Sequence, residues 1–183
     1  MTQSVAEVLI LAINALGAGL LMFVAGVVQK IMNELDELEF KRSLNQLDKA
    51  AMSDPFAVTI ATLPIIAAVV YFLAFGFGHW WFTAGILMWL VGGTVTKVTN
   101  MPIYHWVADP NNTDQAELGK QRHKLQLANN ARAWLTLGSV ALMACQFGVV
   151  EVVFTTAAAA IIAFPLLLLA RRYTPGAAKA IAS

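Results

Sequence analysis

Lys97, Asn100, Tyr104 and His105 crowd one short stretch of the chain, and Asn129 and Arg132 follow further along. Each of these side chains can bind or activate an oxygen-bearing molecule. Amides both donate and accept hydrogen bonds, and a guanidinium stays charged at any ordinary pH. Imidazole titrates near neutrality, which casts His105 as a proton acceptor. An acidic C–H beside a carbonyl needs only a base and an oxyanion donor to lose its proton. That step does not call for a redox metal. The same residues also have a plain structural use. Lys97 and Arg132 can snorkel to lipid headgroups while the amides tie helices together.

The elements that must position them are apolar. The residues Ala, Val, Ile, Leu, Met, Phe, Trp, Tyr and Cys make up 58% of the 183 residues, and 13% are charged. Soluble domains carry about 25% charged residues, so the composition points to a membrane protein. With 12 basic and 11 acidic residues the net charge is +1, which excludes a strong polyanion-binding surface and gives no sign of nucleic acid as a partner. One cysteine, Cys145, allows no internal disulfide. No basic residue precedes the first apolar run, so a retained first helix is expected rather than a cleaved signal peptide.

A transmembrane helix needs about 20 mostly apolar residues. Spans are expected over residues 8–28, 56–77, 82–98, 133–150 and 152–169, in a single domain of class all-α, an integral membrane helical bundle. In the first span Asn14 is the one strongly polar residue. Beyond Gln29, Leu35, Leu38, Leu44 and Leu47 fall at helical spacing among charges, predicting an amphipathic helix on the cytoplasmic side or a continuation of the first span. Ser53-Asp54-Pro55 reads as a helix start. Trp80-Trp81 suits the aromatic belt at a membrane surface. Asn112 or Thr113 is expected to cap a polar helix that runs on into the fourth span. The apolar stretch after Ala131 is too long for one crossing and should turn near Gly148.

Five spans with the N-terminus outside put every Lys and Arg on the cytoplasmic side or at its membrane edge, as the positive-inside rule requires. The alternative, four spans, would leave Arg171, Arg172 and Lys179 outside. A bacterial inner membrane is the expected location. This topology brings the ends of the first and third spans and the start of the fourth to one level. Gln29, Asn33, Lys97, Asn100, Tyr104, His105, Asn129, Asn130 and Arg132 should then line a polar pocket at the inner membrane edge. Metal binding finds little support, because His79 sits on the opposite face from His105 and His123 and no helix carries a ligand-spaced pair. No phosphate loop, nucleophile elbow or dinucleotide fingerprint occurs.

Asn100-Met-Pro102-Ile followed by Asn129-x-x-Arg132 resembles the anthrone oxygenase-like family of small membrane proteins, also known as domain of unknown function 1772. That family carries Asn-x-Pro-Leu/Ile-Asn near a helix end and Asn-x-x-Arg entering the next span. Residues 32–48 and Asp54-Pro55-Phe56 are similar to its loop and second-helix start. The chain departs at Tyr104, where the family has a second Asn, at the missing Pro near Lys30, and in its fifth span. The resemblance implies a bundle whose relatives oxidise anthrones to anthraquinones with neither metal nor flavin. It implies Asn100 and Asn129 as holders of substrate oxygens and Arg132 as the stabiliser of a phenolate or enolate. The catalytic set is then Arg132, Asn100 and His105, and the substrate-binding set Asn129, Tyr104 and Lys97. Two functions follow as expectations. One is a cofactor-free monooxygenase acting on a lipophilic quinone- or polyketide-like small molecule. The other is a non-enzymatic accessory subunit of a larger membrane complex or homo-oligomer. Transport is disfavoured because no repeat is evident and the spans carry no buried ion pair.

Overall fold

The computed structural model describes residues 2–154, 156–158, 161, 164 and 165. The chain divides into two compact units, Met1–Gln146 and Phe147–Ser183. Most of the expected fifth span, with Arg171, Arg172 and Lys179, lies outside the described residues. Every regular element among the described residues is helical.

Helix α1 (Gln3–Phe23) continues through a π-helical segment (Val24–Val28) into α2 (Gln29–Glu34). It begins earlier than expected and so takes in Gln3 and Glu7. The amphipathic stretch divides at Leu35, which is extended, and Asp36, whose carboxylate caps α3 (Glu37–Ser53) by accepting from Glu39 N–H at 2.8 Å. Glu37 and Glu39 add negative charge at the positive end of the helix dipole. Asp54 starts α4 (Pro55–Phe75) in the way the sequence predicts, accepting from Ala57 N–H at 2.7 Å with Pro55 in the first turn. Gly76, at φ 71°, then ends α4 in a conformation that a side chain would oppose.

Helix α5 (Trp80–Val95) does not stop near Val98. It passes through a second π-helical segment (Thr96–Asn100) into α6 (Met101–Ala108). Pro102 has no N–H to donate, and its ring crowds the preceding turn. The widened turn just before it is where the helix takes up that defect without breaking. Asp114 caps α7 (Gln115–Ala144), accepting from Ala116 and Glu117 N–H, so the cap is neither Asn112 nor Thr113. Among the described residues three helices, Gln3–Glu34, Pro55–Phe75 and Trp80–Ala108, are long and apolar enough to cross a membrane. In the second unit Gly148 has φ 150° and residues 149–154 are helical.

Helix α7 is the centre of the first unit, packing on α5 and α1, while α4 packs on α1 and α3. The tightest approach is at Gly85. A Cβ there would lie 2.5 Å from Met143 Cγ and 2.7 Å from the Ser139 carbonyl oxygen, so only glycine allows this α5–α7 seam. Gly92 is also in contact with α7, through Thr136, whereas Gly93 has nothing within 4 Å. Two apolar cores result. Ala6, Ile10, Ala68, Tyr71, Phe82, Ile86 and Met143 form one at the end where α1 begins. Met32, Phe40, Leu44, Ile103, Val107, Leu118 and Leu125 form the other at the charged end. Arg122 clamps this second core: its guanidinium donates to the carbonyls of Met32 and Leu35 and to Glu37, and it lies over the Phe40 ring.

Candidate functional site

Between the two cores, three helical runs meet in a ladder of amides. Asn100 Nδ2 donates to Asn129 Oδ1 at 2.8 Å, Asn129 Nδ2 to Gln29 Oε1 at 3.1 Å, and Gln29 Nε2 to Asn33 Oδ1 at 3.0 Å. Asn100, Asn129 and Gln29 are buried, Asn100 completely. Both π-helical segments end here, one at the residue before Gln29 and the other on Asn100 itself. Single π turns inside α-helices are frequent at functional sites, because the extra residue re-aims side chains and loosens the backbone ladder.

Arg132 lies one turn along α7 from Asn129. Its Nη1 donates to Thr96 Oγ1 at 3.0 Å, and its Nε is buried with no partner. No carboxylate among the described residues pairs with it. Asn100 Oδ1 is likewise buried and unpartnered. Tyr104 is half-buried beside Asn100 and within electrostatic reach of Arg132. The neighbourhood therefore keeps one free acceptor and one free cationic donor away from water. Each such orphan costs about 1–3 kcal/mol, and more when the group is charged. A third orphan, Asn14 Oδ1, lies in α1 about 22 Å along the helix axis from Gln29.

Of the six residues singled out in the sequence, the structure brings four together: Asn100, Asn129, Arg132 and Tyr104. His105 is exposed on α6 and Lys97 is exposed in the π-helical segment, and neither joins the ladder. Residues one position apart on a helix do not share a face, so Tyr104 and His105 cannot both turn to Asn100. Asn129 has both ends of its amide engaged, which makes it a positioning residue for Asn100. Thr96 and Gln29 complete the site; Thr96 drew no attention in the sequence because a hydroxyl at the end of an apolar run is common.

A second polar cluster sits at the opposite end. Glu7, 1% exposed, accepts from Tyr71 Oη at 2.6 Å and from Gln3 Nε2 at 3.2 Å, and pairs with His79 Nδ1 at 2.5 Å. Gln3 also donates to Tyr71 Oη at 3.1 Å. Glu7 lies one residue ahead of the span expected from Val8, and His79 in the connection before α5, so the cluster adds a buried carboxylate just outside the first span expected from the sequence. An apolar window opening at Val8 left out the one carboxylate that a neighbouring helix could satisfy.

Compared with known proteins, the chain matches no family model, no curated protein and no solved structure.

Proposed function

We propose that this is an integral membrane protein of a bacterial inner membrane. In this reading the N-terminus is outside, and the site around Asn100 and Arg132 lies at the inner membrane edge. It binds the oxygen atoms of a lipophilic, quinone- or polyketide-like small molecule. The orientation is supported by charge. Lys30, Lys41, Arg42, Lys49, Lys120, Arg122 and Lys124 cluster at one end, and no Lys or Arg occurs from Pro55 to Thr96. The observation that carries the binding reading is the pair of buried, unpartnered atoms, Asn100 Oδ1 and Arg132 Nε. A cation at membrane depth without a carboxylate is a functional site by default, because its desolvation must be offset by something. A carbonyl or phenolate oxygen fits Arg132 Nε, and a hydroxyl fits Asn100 Oδ1.

Oxidation of the bound molecule rests on the resemblance to anthrone oxygenases. Arg132 would stabilise the enolate or phenolate that precedes attack on dioxygen. Tyr104 is better placed than His105 to exchange a proton with it. In a second reading, supported by α4, the chain is an accessory subunit. That helix buries only Pro64, Ala68 and Tyr71 and leaves the rest of its apolar surface to lipid or to another chain.

The deciding experiment is titration of the purified protein with a hydroxyanthraquinone, read by absorbance, with oxygen uptake measured on the corresponding anthrone. Loss of a charge-assisted bond of about 1.5–3 kcal/mol predicts a 10- to 150-fold weaker Kd for Arg132→Gln, with insertion and melting preserved. If Arg132→Gln and Asn100→Ala bind as wild type does, the site reading fails. Binding without oxygen uptake would leave a binding protein and remove the oxygenase. Stoichiometric partners retained in mild detergent, with no ligand bound, would favour the subunit.

A further inference from the structure

A groove of about 360 Å³ runs along the outside of the α5–α7 seam, lined by Val95, Thr99, Lys124, Leu127, Ala128 and Ala131. A second, of about 230 Å³, shares Val95 and Thr99 and carries the track on to Val91 and Val98. Ala128 and Ala131 make the floor shallow-sided and smooth, and the walls are apolar. Thr94 and Thr99 add two hydroxyls, and Lys124, exposed and at the charged end, is the one charged residue lining the track.

The register between the helices gives the track its length. Thr96 faces Arg132 and Gly92 faces Thr136, so α5 and α7 run antiparallel, and Val91 lies level with about residue 137 of α7. From there to Lys124 is about 20 Å at 1.5 Å per residue. One leaflet of hydrocarbon is about 15 Å deep, half the thickness of the core. The track therefore matches one leaflet, with its cation where the headgroups begin. Glu117 is within electrostatic reach of Lys124, but its two oxygens are occupied by Gln121 and Lys120. Lys124 has no ion pair among the described residues.

We infer that this groove is a binding site for an anionic glycerophospholipid of the inner leaflet, with an acyl chain along Val95 and Ala131 and the phosphate on Lys124. It rests on the membrane placement proposed above, and it involves neither Asn100 nor Arg132, so the two sites can fail separately.

The test uses the full chain in micelles with equal phosphatidylglycerol and phosphatidylcholine of matched acyl chains, counting retained lipids by native mass spectrometry. Wild type should keep phosphatidylglycerol in preference. Lys124→Gln should lower that preference roughly fivefold, the effect of one lysine on an anionic headgroup. Ala131→Phe, at an exposed position, should fill the groove and lower retention of both lipids. Lys49→Gln, on the exposed face of α3, should change neither. Melting curves confirm that all three variants fold. Equal retention of the two lipids by wild type overturns the proposal. So does an effect of Lys49→Gln as large as that of Lys124→Gln, or unchanged lipid retention in Ala131→Phe.

Discussion

At one end of the helices Glu7 holds Tyr71, Gln3 and His79 on a single carboxylate oxygen; at the other, Asn100 and Arg132 each keep a buried polar atom with nothing bound to it. Both clusters join helices far apart in the chain, and both sit next to an apolar core. They differ in what remains unsatisfied. The Glu7 cluster has its donors and its acceptor matched, as a structural lock requires. The Asn100 ladder is matched only on the side facing Gln29. Its other side ends in an orphan acceptor, and Arg132, one turn along α7 from Asn129, keeps an unpartnered Nε; two π-helical segments end at the ladder. Burial and hydrogen bonding alone do not mark a site, and neither does one orphan such as Asn14 Oδ1; at the ladder an orphan acceptor, a cation without a carboxylate and two π-helical segments coincide.

The contrast breaks most readily at Glu7. Glu7→Ala leaves the Tyr71 hydroxyl and Gln3 without their acceptor and removes the His79 partner. A stability loss of about 2–3 kcal/mol is expected, because a buried polar group left without its partner costs about 1–3 kcal/mol and more than one is left so here. Chemical denaturation in micelles measures it, and ligand affinity at Arg132 should not move. Asn129→Ala should cost about 2 kcal/mol, since Gln29 Oε1 and Asn100 Nδ2 both lose a partner. This variant should also weaken ligand binding, because Asn100 is no longer oriented. Arg132→Met should change stability by less than about 1 kcal/mol. It removes one hydrogen bond to Thr96 but also a cation left without a carboxylate. Should Arg132→Met prove as damaging as Glu7→Ala, Arg132 is a structural residue and the two ends are alike.

Much of the charged end was legible in the sequence. Asp54-Pro55 announced a helix start by its chemistry, and the helical spacing of Leu38, Leu44 and Leu47 announced α3, although its buried face is Phe40 and Leu44 while Leu38 and Leu47 are exposed. The grouping of Asn100, Asn129 and Arg132 followed from where apolar stretches end. Other features had weaker signals. Gln3, Glu7, Ile10, Asn14 and Ala18 fall at three- and four-residue spacing, and all but Gln3 are buried, so the buried stripe of α1 was present in its pattern. A hydropathy window scores Glu7 only as a charge to be excluded, and its partners His79 and Tyr71 are distant in sequence. The π-helical segments have no propensity signature; Pro102 alone hinted at the second. His105 and Tyr104 look equivalent in a string, and only helical rotation separates them.

The smallest expected effect lies in water, where α7 begins. Half-buried Glu117 accepts from Gln121 Nε2 at 2.8 Å and from Lys120 Nζ at 3.2 Å, and these two bonds hold its carboxyl below the ordinary value of 4.5. A depressed folded-state value means that the unfolded chain takes up the proton first. The contribution of Glu117 is therefore complete above 4.5 and fades as pH falls through its lower folded value. Glu117→Gln should flatten the acid side of the stability–pH curve slightly, since exposed pairs are screened by solvent and salt. Melting temperatures across that range, at low and high salt, would show it. Affinity at Arg132 should be the same in both proteins, because α7 carries no other charge change between its capped start and the ladder. A slope that is unaltered by the substitution would mean that water, not Gln121 and Lys120, is the partner of this carboxylate.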